Sequence, residues 1–366
     1  MRIYPVQNSI IDFRNYPQKL ARFLTVIVAL AVLSGCQSSR KELQPRAMSL
    51  FESLESTEAI SISISTDLQK LLDEKEKRKF QPATLHIEKE NMSQSFEIKL
   101  KPRGKTRKNI CDFPPLKLRF SEDDLQTAKL SDYTKLKLVT HCQGDEDLVL
   151  KELLAYKLYN ILTEKSFKVQ LAKISYVDES GETEPIEKYG FLIENTREMA
   201  DRLNGQIVKN KTDKLKSIDA EQYRMLTLFQ YMIGNTDWNL GKRHNIKMVK
   251  LADRKAPVPV PYDFDFAGLV NAPYANPHPQ LPIQKVTDRF FQWRGKCASG
   301  FEETLEVFKA KKEAILNYCA QFEGLEESQK TEMLEYINSF YEIIEQEDKM
   351  KEKLTVVANG DTCNLS

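Results

Sequence analysis

Histidine and glycine are scarce in this sequence, and their scarcity limits the chemistry that the chain can carry. The four histidines lie far apart, and no two have the spacing of a zinc site. There is no GxSxG segment, the motif of one large class of serine hydrolases, and no GxGxxG segment, the glycine-rich phosphate loop. Cysteine pairs of the CxxC type are also absent. The sequence therefore lacks the motifs of the commonest zinc, hydrolase and dinucleotide sites.

Long hydrophobic runs are missing as well. The main apolar run, Phe23–Leu33, has the length of the core of a signal peptide and is short for a bilayer span. Basic residues precede it, and "LSGC" follows at Leu33–Cys36. This ending resembles a bacterial lipobox, which implies that Cys36 is lipidated and becomes the mature N-terminus. The alternative is an uncleaved N-terminal anchor.

The N-terminal segment predicts where the protein is located. Residues 1–36 are interpreted as a lipoprotein signal peptide and residues 37–58 as a polar tether. We expect the protein in a bacterial cell envelope, attached to the membrane through its lipid. Gln37 favours the outer membrane, on its periplasmic or surface face.

Neither sign of charge is in excess. The whole chain carries 54 basic and 53 acidic side chains, and the part from Cys36 onward has a net charge of −2. A near-neutral body gives no reason to expect a nucleic acid as partner.

Five cysteines follow Cys36, and an oxidising compartment favours pairing among them. The first expected pair is Cys111 with Cys142, because both lie in the N-terminal half. The alternative is that they are buried thiols, and an odd number leaves at least one unpaired.

Hydrophobic periodicity divides the chain into two parts. Residues 59–195 are rich in alternating, strand-like segments and contain one long helical pattern, Glu146–Glu164. Residues 196–366 are mainly helical, with one strand pair formed by "NIKMVKL" and "VPVPYDFDF". The predicted fold class is α+β, with a strand-rich N-lobe and a mainly helical C-lobe.

Two acidic clusters are the best candidates for a functional site. Asp237 follows a helix that stops at Gly234, and Asn245 begins the next strand. Asp263 and Asp265 end the returning strand, where alternation predicts that both point to one face. Carboxylate and amide oxygens are the ligands that Mg²⁺ or Mn²⁺ prefer, and phosphoryl transfer requires such ions. Taken singly, Asp237 is also typical of a turn, and the two later aspartates of a solvated edge strand.

The order of these residues resembles the catalytic half of protein-kinase-like enzymes. "TDWNLGKRHN" and "PYDFDFAG" are similar to segments of the CotH-type atypical kinases, and "GNTD" is distantly similar to the HipA-like kinases. The resemblance implies a two-lobed kinase-like fold, ATP as phosphate donor and Mg²⁺ or Mn²⁺ as cofactor. It implies that Asp237 is the catalytic aspartate, that Asn245 binds metal, and that Asp263 or Asp265 binds metal.

The same resemblance extends into the N-terminal part. "PRGKTRKNICDFPPLKLRF" is similar to a CotH-type stretch, which implies that Lys117 contacts the nucleotide phosphates and that Arg103 and Gly104 lie over the nucleotide. Glu152 would form an ion pair with Lys117, and Tyr189–Asn195 would be the hinge between lobes. The chain departs from the kinase pattern in the absent GxGxxG and in the seven residues between Asp237 and Asn245.

Three functions remain open at this level. The first is a phosphotransferase acting on a protein or small molecule of the envelope. The second is an inactive, kinase-like lipoprotein that binds a partner. The third is a metal-dependent hydrolase that uses the same aspartates with His244.

Overall fold

The structure is a computed structural model, and residues Ala47–Ser366 form one compact unit in it. The residues that it describes are 47–90, 92–143, 146–209, 218–293, 300–354, 356–358 and 361–363. The predicted signal peptide, the lipidation site Cys36 and Cys297 lie outside the described residues.

Seven strands form a closed barrel in the order β1-β2-β3-β4-β5-β7-β6. They are β1 (Ile60–Thr66), β2 (Gln81–Lys89), β3 (Met92–Pro102), β4 (Leu116–Arg119), β5 (Lys135–Val139), β6 (Val169–Asp178) and β7 (Ile186–Ile193). Neighbouring strands are antiparallel, except that β1 runs parallel to β6 with Ile62 opposite Ile174.

Two smaller sheets follow. Strands β8 (Gly205–Ile207), β9 (Ile246–Leu251) and β10 (Val258–Pro261) form a sheet with β9 in the centre. Strands β11 (Val356–Ala358) and β12 (Asp361–Cys363) form a hairpin.

Helices cover the barrel and the small sheet. They are α1 (Leu50–Leu54), α2 (Leu68–Asp73), α3 (Arg107–Ile110), α4 (Glu122–Thr127), α5 (Asp147–Leu162), α6 (Thr196–Arg202), α7 (Ala220–Met232), α8 (Phe301–Ala320), α9 (Glu327–Ile344) and α10 (Glu347–Lys353). No helix in the described part of the chain is long and apolar enough to cross a membrane.

The predicted two-lobed, kinase-like fold with a helical C-lobe is wrong. The strands of the N-terminal part close into a seven-stranded mixed barrel, and the C-terminal part contains a three-stranded sheet besides its helices. The barrel is closed by the pairing of β1 with β6, which are about a hundred residues apart in sequence. Local alternation predicts strands but does not specify such a distant parallel pairing. The predicted hinge residues Tyr189–Asn195 instead complete β7 inside the barrel and cap α6.

The alternating pattern of the strands explains the interior of the barrel. Ile60, Ile62 and Ile64 of β1 are buried, whereas the serines between them face outward. The buried leucines of β3, β4 and β5 complete this core. A second core joins α5, α7, α8 and α9 to the small sheet.

Two local features differ from the expected boundaries. The predicted tether, residues 37–58, includes α1, whose first turn is closed by a capping box between Ser49 and Glu52. Strand β10 ends at Pro261, so Asp263 and Asp265 belong to the loop that follows and do not alternate on a strand. The expected disulfide between Cys111 and Cys142 is confirmed.

Candidate functional site

A cavity of about 340 Å³ lies between the loop after β3 and the segments that follow α7 and β10. It is lined by Arg103, Gly104, Lys105, Thr106, Arg107, Pro115, Val139, Asp237, His244, Asn245, Asp263, Asp265 and Phe266. Six of the eight residues predicted from the sequence for catalysis, metal and nucleotide therefore share one cavity. The other two, Lys117 and Glu152, are not among the described residues that line it.

The loop with Asp237 is positioned by the end of α7. Gly234 ends this helix at φ 63, and a side chain there would collide with the hydroxyl of Tyr336. Glycine is needed at this point because it adopts the left-handed conformation without a steric penalty. The side-chain oxygen of Asn235 then accepts a hydrogen bond of 2.9 Å from the Asp237 amide, which fixes the direction of the loop.

The Asp237 carboxylate is held by two neighbours. His244 Nε2 lies 2.9 Å from Oδ1, and Asn245 Nδ2 donates to Oδ2 at 3.0 Å and to the Asp237 carbonyl at 2.9 Å. The seven intervening residues fold back through a bridge between Asn239 and His244. The long spacing between Asp237 and Asn245 therefore does not prevent direct contact.

Asp263 occupies an unusual backbone conformation. Its φ is 69, and its amide donates a 2.8 Å hydrogen bond to the hydroxyl of Tyr156, which is buried on α5. Asn245 also has a positive φ, of 54. Asn and Asp tolerate this region better than most residues, and strained backbone often occurs at functional sites. Two of the predicted metal ligands thus lie at backbone positions that favour their residue types.

Asp265 is the most buried of the cavity aspartates, with 7% of its surface exposed. Tyr274 donates a 3.3 Å hydrogen bond to its Oδ2. Burial and the nearby charges of Asp263 and Asp237 raise the pKa of Asp265 to about 7, although Arg107 opposes the shift. Burial and the two neighbouring carboxylates therefore both favour the protonated form of Asp265.

Arg107, in the loop between β3 and β4, lines the cavity and is buried, although none of the sequence motifs assigns it a role. Its Nη1 lies 2.8 Å from Oε2 of Glu152, and its Nη2 donates to the carbonyl of Thr140 at 2.7 Å. Burial alone would lower the pKa of Arg107, but Glu152, Asp265 and Asp263 raise it above its usual value. Arg107 therefore remains a fixed cation beside the acidic cluster.

The expected ion pair between Lys117 and Glu152 is replaced by this Arg107–Glu152 pair. Glu152 lies inside the protein with 1% of its surface exposed, and burial raises its pKa. Lys117 lies on the outer face of β4, opposite Lys101 on β3 and Lys137 on β5. The expected partner of Glu152 is therefore wrong, because the sequence gives no information on how α3 packs against α5.

The loop with Arg103 and Gly104 begins where β3 ends. The Arg103 amide donates to the Pro115 carbonyl at 2.7 Å, and Gly104 has a φ of 90. The disulfide fastens the end of α3, at Cys111, to the segment between β5 and α5, at Cys142. The loop is thereby held against the cavity.

Lys137 is a further candidate, which no sequence motif indicates. Its ammonium lies 5.1 Å from the centre of the Tyr262 ring, and Lys247 lies 4.8 Å from the same ring. Burial, with Arg103 and Lys247 nearby, lowers the pKa of Lys137 to about 7, although Asp263 opposes the shift. The nearness of Lys137 to Asp263 depends on the register of β5 and on the path of the chain after β10, and the alternating "KLKL" segment predicts neither.

The donor atoms of the cavity fit a magnesium ion only in part. Within the described ranges, no three His, Cys, Asp or Glu side chains are arranged to hold a metal. Mg²⁺, however, is usually bound by one or two carboxylates together with phosphates of the substrate. Burial is the main cause of the raised pKa of Asp265, and the charge of Asp263 adds to it. A cation bound between the two carboxylates would favour their charged forms.

Fold and site together define a barrel protein with a cleft that combines carboxylates on one side with guanidinium and ammonium groups on the other. Neither a known protein family nor a curated protein matches this chain.

Proposed function

We propose that the cleft binds a divalent cation with a phosphorylated ligand of the ATP type and transfers a phosphoryl group to a protein or small molecule. The observation that carries the proposal is the convergence of Asp237, Asn245, Asp263 and Asp265 with Arg103 and Arg107 on one cavity. Phosphoryl transfer needs metal ions and fixed cations that neutralise the phosphate oxygens, and a group that orients the acceptor.

Each side chain has a distinct role in this proposal. Asp263 and Asp265, with the amide oxygen of Asn245, would hold Mg²⁺ or Mn²⁺, which would neutralise charge on the phosphates. Arg103 and the backbone at Gly104 would contact those phosphates, and Lys137 would do so from β5. Asp237 would accept the proton of the acceptor hydroxyl, since its carboxylate is 38% exposed and therefore accessible.

We further propose that the protein is an exported lipoprotein anchored through Cys36. The Cys111–Cys142 disulfide supports export, because disulfides persist in oxidising compartments. Mass measurement of the chain isolated from membranes tests this proposal: a diacylglyceryl-modified Cys36 as first residue is expected. An unmodified chain that retains residues 1–35 would contradict it.

The binding site is tested by the thermal midpoint of residues 47–366 with ATP and Mg²⁺ or Mn²⁺. A ligand that binds only the native state raises the thermal midpoint. At a ligand concentration a hundred times Kd, it adds about 2.7 kcal/mol to the free energy of unfolding. We expect a metal-dependent rise that is lost in Asp263→Asn or Asp265→Asn. Asparagine is chosen because it keeps the shape of the side chain and tolerates the positive φ of Asp263.

A matched control is Asp253→Asn, in the exposed turn between β9 and β10, which should leave the rise unchanged. Transfer itself is tested with radiolabelled ATP and envelope extracts, where Asp237→Asn should abolish labelling while keeping the thermal rise. If no nucleotide and no metal shifts the midpoint, the phosphotransferase proposal fails.

A second candidate function is a binding protein that holds a phosphorylated ligand without turnover. It is favoured by the absence of a three-carboxylate or histidine metal cluster among the described residues and by the fixed position of Arg107 beside Asp265. It predicts a thermal rise that does not need metal and that is lost in Arg103→Ala. Labelling of an acceptor would argue against this alternative.

A further inference from the structure

Basic side chains form a regular pattern on the outer face of β3, β4 and β5. The strand register places Lys99 opposite Arg119, and Arg119 opposite Lys135. We call these three residues the outer basic row. A second row, Lys101, Lys117 and Lys137, runs parallel to it and is closer to the cavity.

The outer basic row concentrates three like charges on neighbouring strands. Neighbouring strands are about 4.8 Å apart, so the three cations span roughly 10 Å. All three side chains are exposed, and none forms an ion pair with a described residue. The Arg119 guanidinium lies 4.1 Å from the centre of the Phe80 ring, and Glu97, further along β3, accepts a hydrogen bond from Thr84. Like charges directly opposite on a sheet are destabilising, and a surface that carries several anions would offset their repulsion.

The place where the N-terminal segment joins the folded body indicates the chemical class of this anionic surface. Met48 is 56% exposed, and its carbonyl accepts a 3.0 Å hydrogen bond from Ser131, four residues before Lys135. Cys36, the proposed lipid-bearing residue, precedes Met48 by twelve residues, which reach at most about 40 Å when extended. The polypeptide therefore joins the body beside one end of the outer basic row, within reach of the membrane that would hold its anchor.

From these observations we infer that the outer basic row docks on the anionic phospholipid headgroups of the membrane to which the chain is attached. The inference rests on the proposed function in one respect: the lipid anchor decides which membrane lies next to the row. The attraction of the row to an anionic bilayer is a property of the body itself. Anchor and row act together, because the anchor raises the local concentration of lipid headgroups near the row.

Vesicle sedimentation with residues 47–366 tests the inference, since these residues form one compact unit with their own cores. The body should sediment with vesicles that contain phosphatidylglycerol and not with pure phosphatidylcholine. The combined variant Lys99→Gln, Arg119→Gln, Lys135→Gln should lower the apparent affinity on the order of a hundredfold, and Lys135→Gln alone about fivefold. Added salt should weaken binding of the unmodified body.

The matched control changes the net charge equally at a different surface. The residues chosen are Lys309 and Lys311 on α8 and Lys349 on α10, all exposed. The combined variant Lys309→Gln, Lys311→Gln, Lys349→Gln should leave vesicle binding unchanged. If both combined variants weaken binding equally, net charge alone explains the effect and the inference is overturned. The inference is also overturned if residues 47–366 do not sediment with anionic vesicles, or if they bind polyglutamate or single-stranded DNA and not the vesicles.

Failure of this inference is distinguishable from failure of the proposed function. The outer basic row does not contribute to the lining of the cavity, so its combined variant should keep the ATP-dependent thermal rise. The same measurement shows that the variant is folded. Loss of vesicle binding with an intact thermal rise is the expected result.

Discussion

At the scale of single residues, the buried pair of Arg107 and Glu152 is the central feature of the site. Both side chains are almost entirely inside the protein, and they connect the loop over the cavity to helix α5. A buried ion pair contributes little net stability compared with an apolar pair, but removal of one partner leaves an uncompensated charge. The pair therefore fixes the position of the loop more than it stabilises the fold.

We predict that Arg107→Met lowers the free energy of unfolding by roughly 3–5 kcal/mol, because Glu152 then remains buried without its partner. Adding Glu152→Gln should restore part of the loss, since the buried carboxylate is removed. Urea unfolding of the two single variants and the double variant measures this coupling.

The control for this cycle is the exposed pair of Lys309 and Glu306 on α8. Lys309→Met should change stability by no more than about 0.5 kcal/mol. Additive effects of Arg107→Met and Glu152→Gln would show that the two side chains are not energetically coupled.

At the scale of elements, helix α1 is held to α6 by an unusual contact. The Ser49 hydroxyl donates to the buried carboxylate of Glu198. Burial raises the pKa of Glu198 to about 7; Ser49 opposes the shift, and Glu194 and Glu52 add to it. The attachment of α1 is therefore sensitive to pH.

The sign of this effect follows from the two pKa values. Between the ordinary value of 4.5 and about 7, the folded protein binds more protons at Glu198 than the unfolded chain does, so stability falls as pH rises. Glu198→Gln removes this loss. We predict that the variant gains roughly 2–3 kcal/mol over the unmodified protein between pH 4 and pH 8.

Urea unfolding across this pH range checks the prediction, with the exposed Glu58→Gln as matched control. The control should follow the pH dependence of the unmodified protein. If Glu198→Gln follows it too, folding does not raise the pKa of Glu198.

At the scale of the whole molecule, the closed barrel removes the free edges that an open sheet would have. Strand β1 is bonded to β2 on one side and to β6 on the other, so all of its neighbours are strands of the same barrel. Closure protects the backbone groups that an edge strand exposes to other chains. Closure also pairs β1 with β6, which lies more than a hundred residues later in the sequence.

We predict that the amides of β1 and β6 exchange with solvent as slowly as those of β4, because no barrel strand is an edge. Strand β8, at the edge of the three-stranded sheet, should exchange faster and serves as the internal comparison. Hydrogen exchange read by mass spectrometry measures both. Fast exchange confined to β1 and β6 would indicate that the barrel opens between them.

The amino-acid sequence predicts the types and approximate positions of most elements, because strand alternation and helix periodicity are local. It also identified the residues of the acidic cluster, since Asp237, Asn245, Asp263 and Asp265 lie close together in sequence around one hairpin. The pairing of Cys111 with Cys142 was the first expectation and is confirmed.

The architecture and the cations of the site depend on long-range contacts that the sequence does not predict. Barrel closure depends on the parallel pairing of β1 with β6, and the partner of Glu152 depends on how α3 packs against α5. The nearness of Lys137 to Asp263 depends in the same way on the register of β5 and the path of the chain after β10. These contacts join segments that are distant in sequence, and the free energy that selects them comes from packing of the whole molecule rather than from any local pattern.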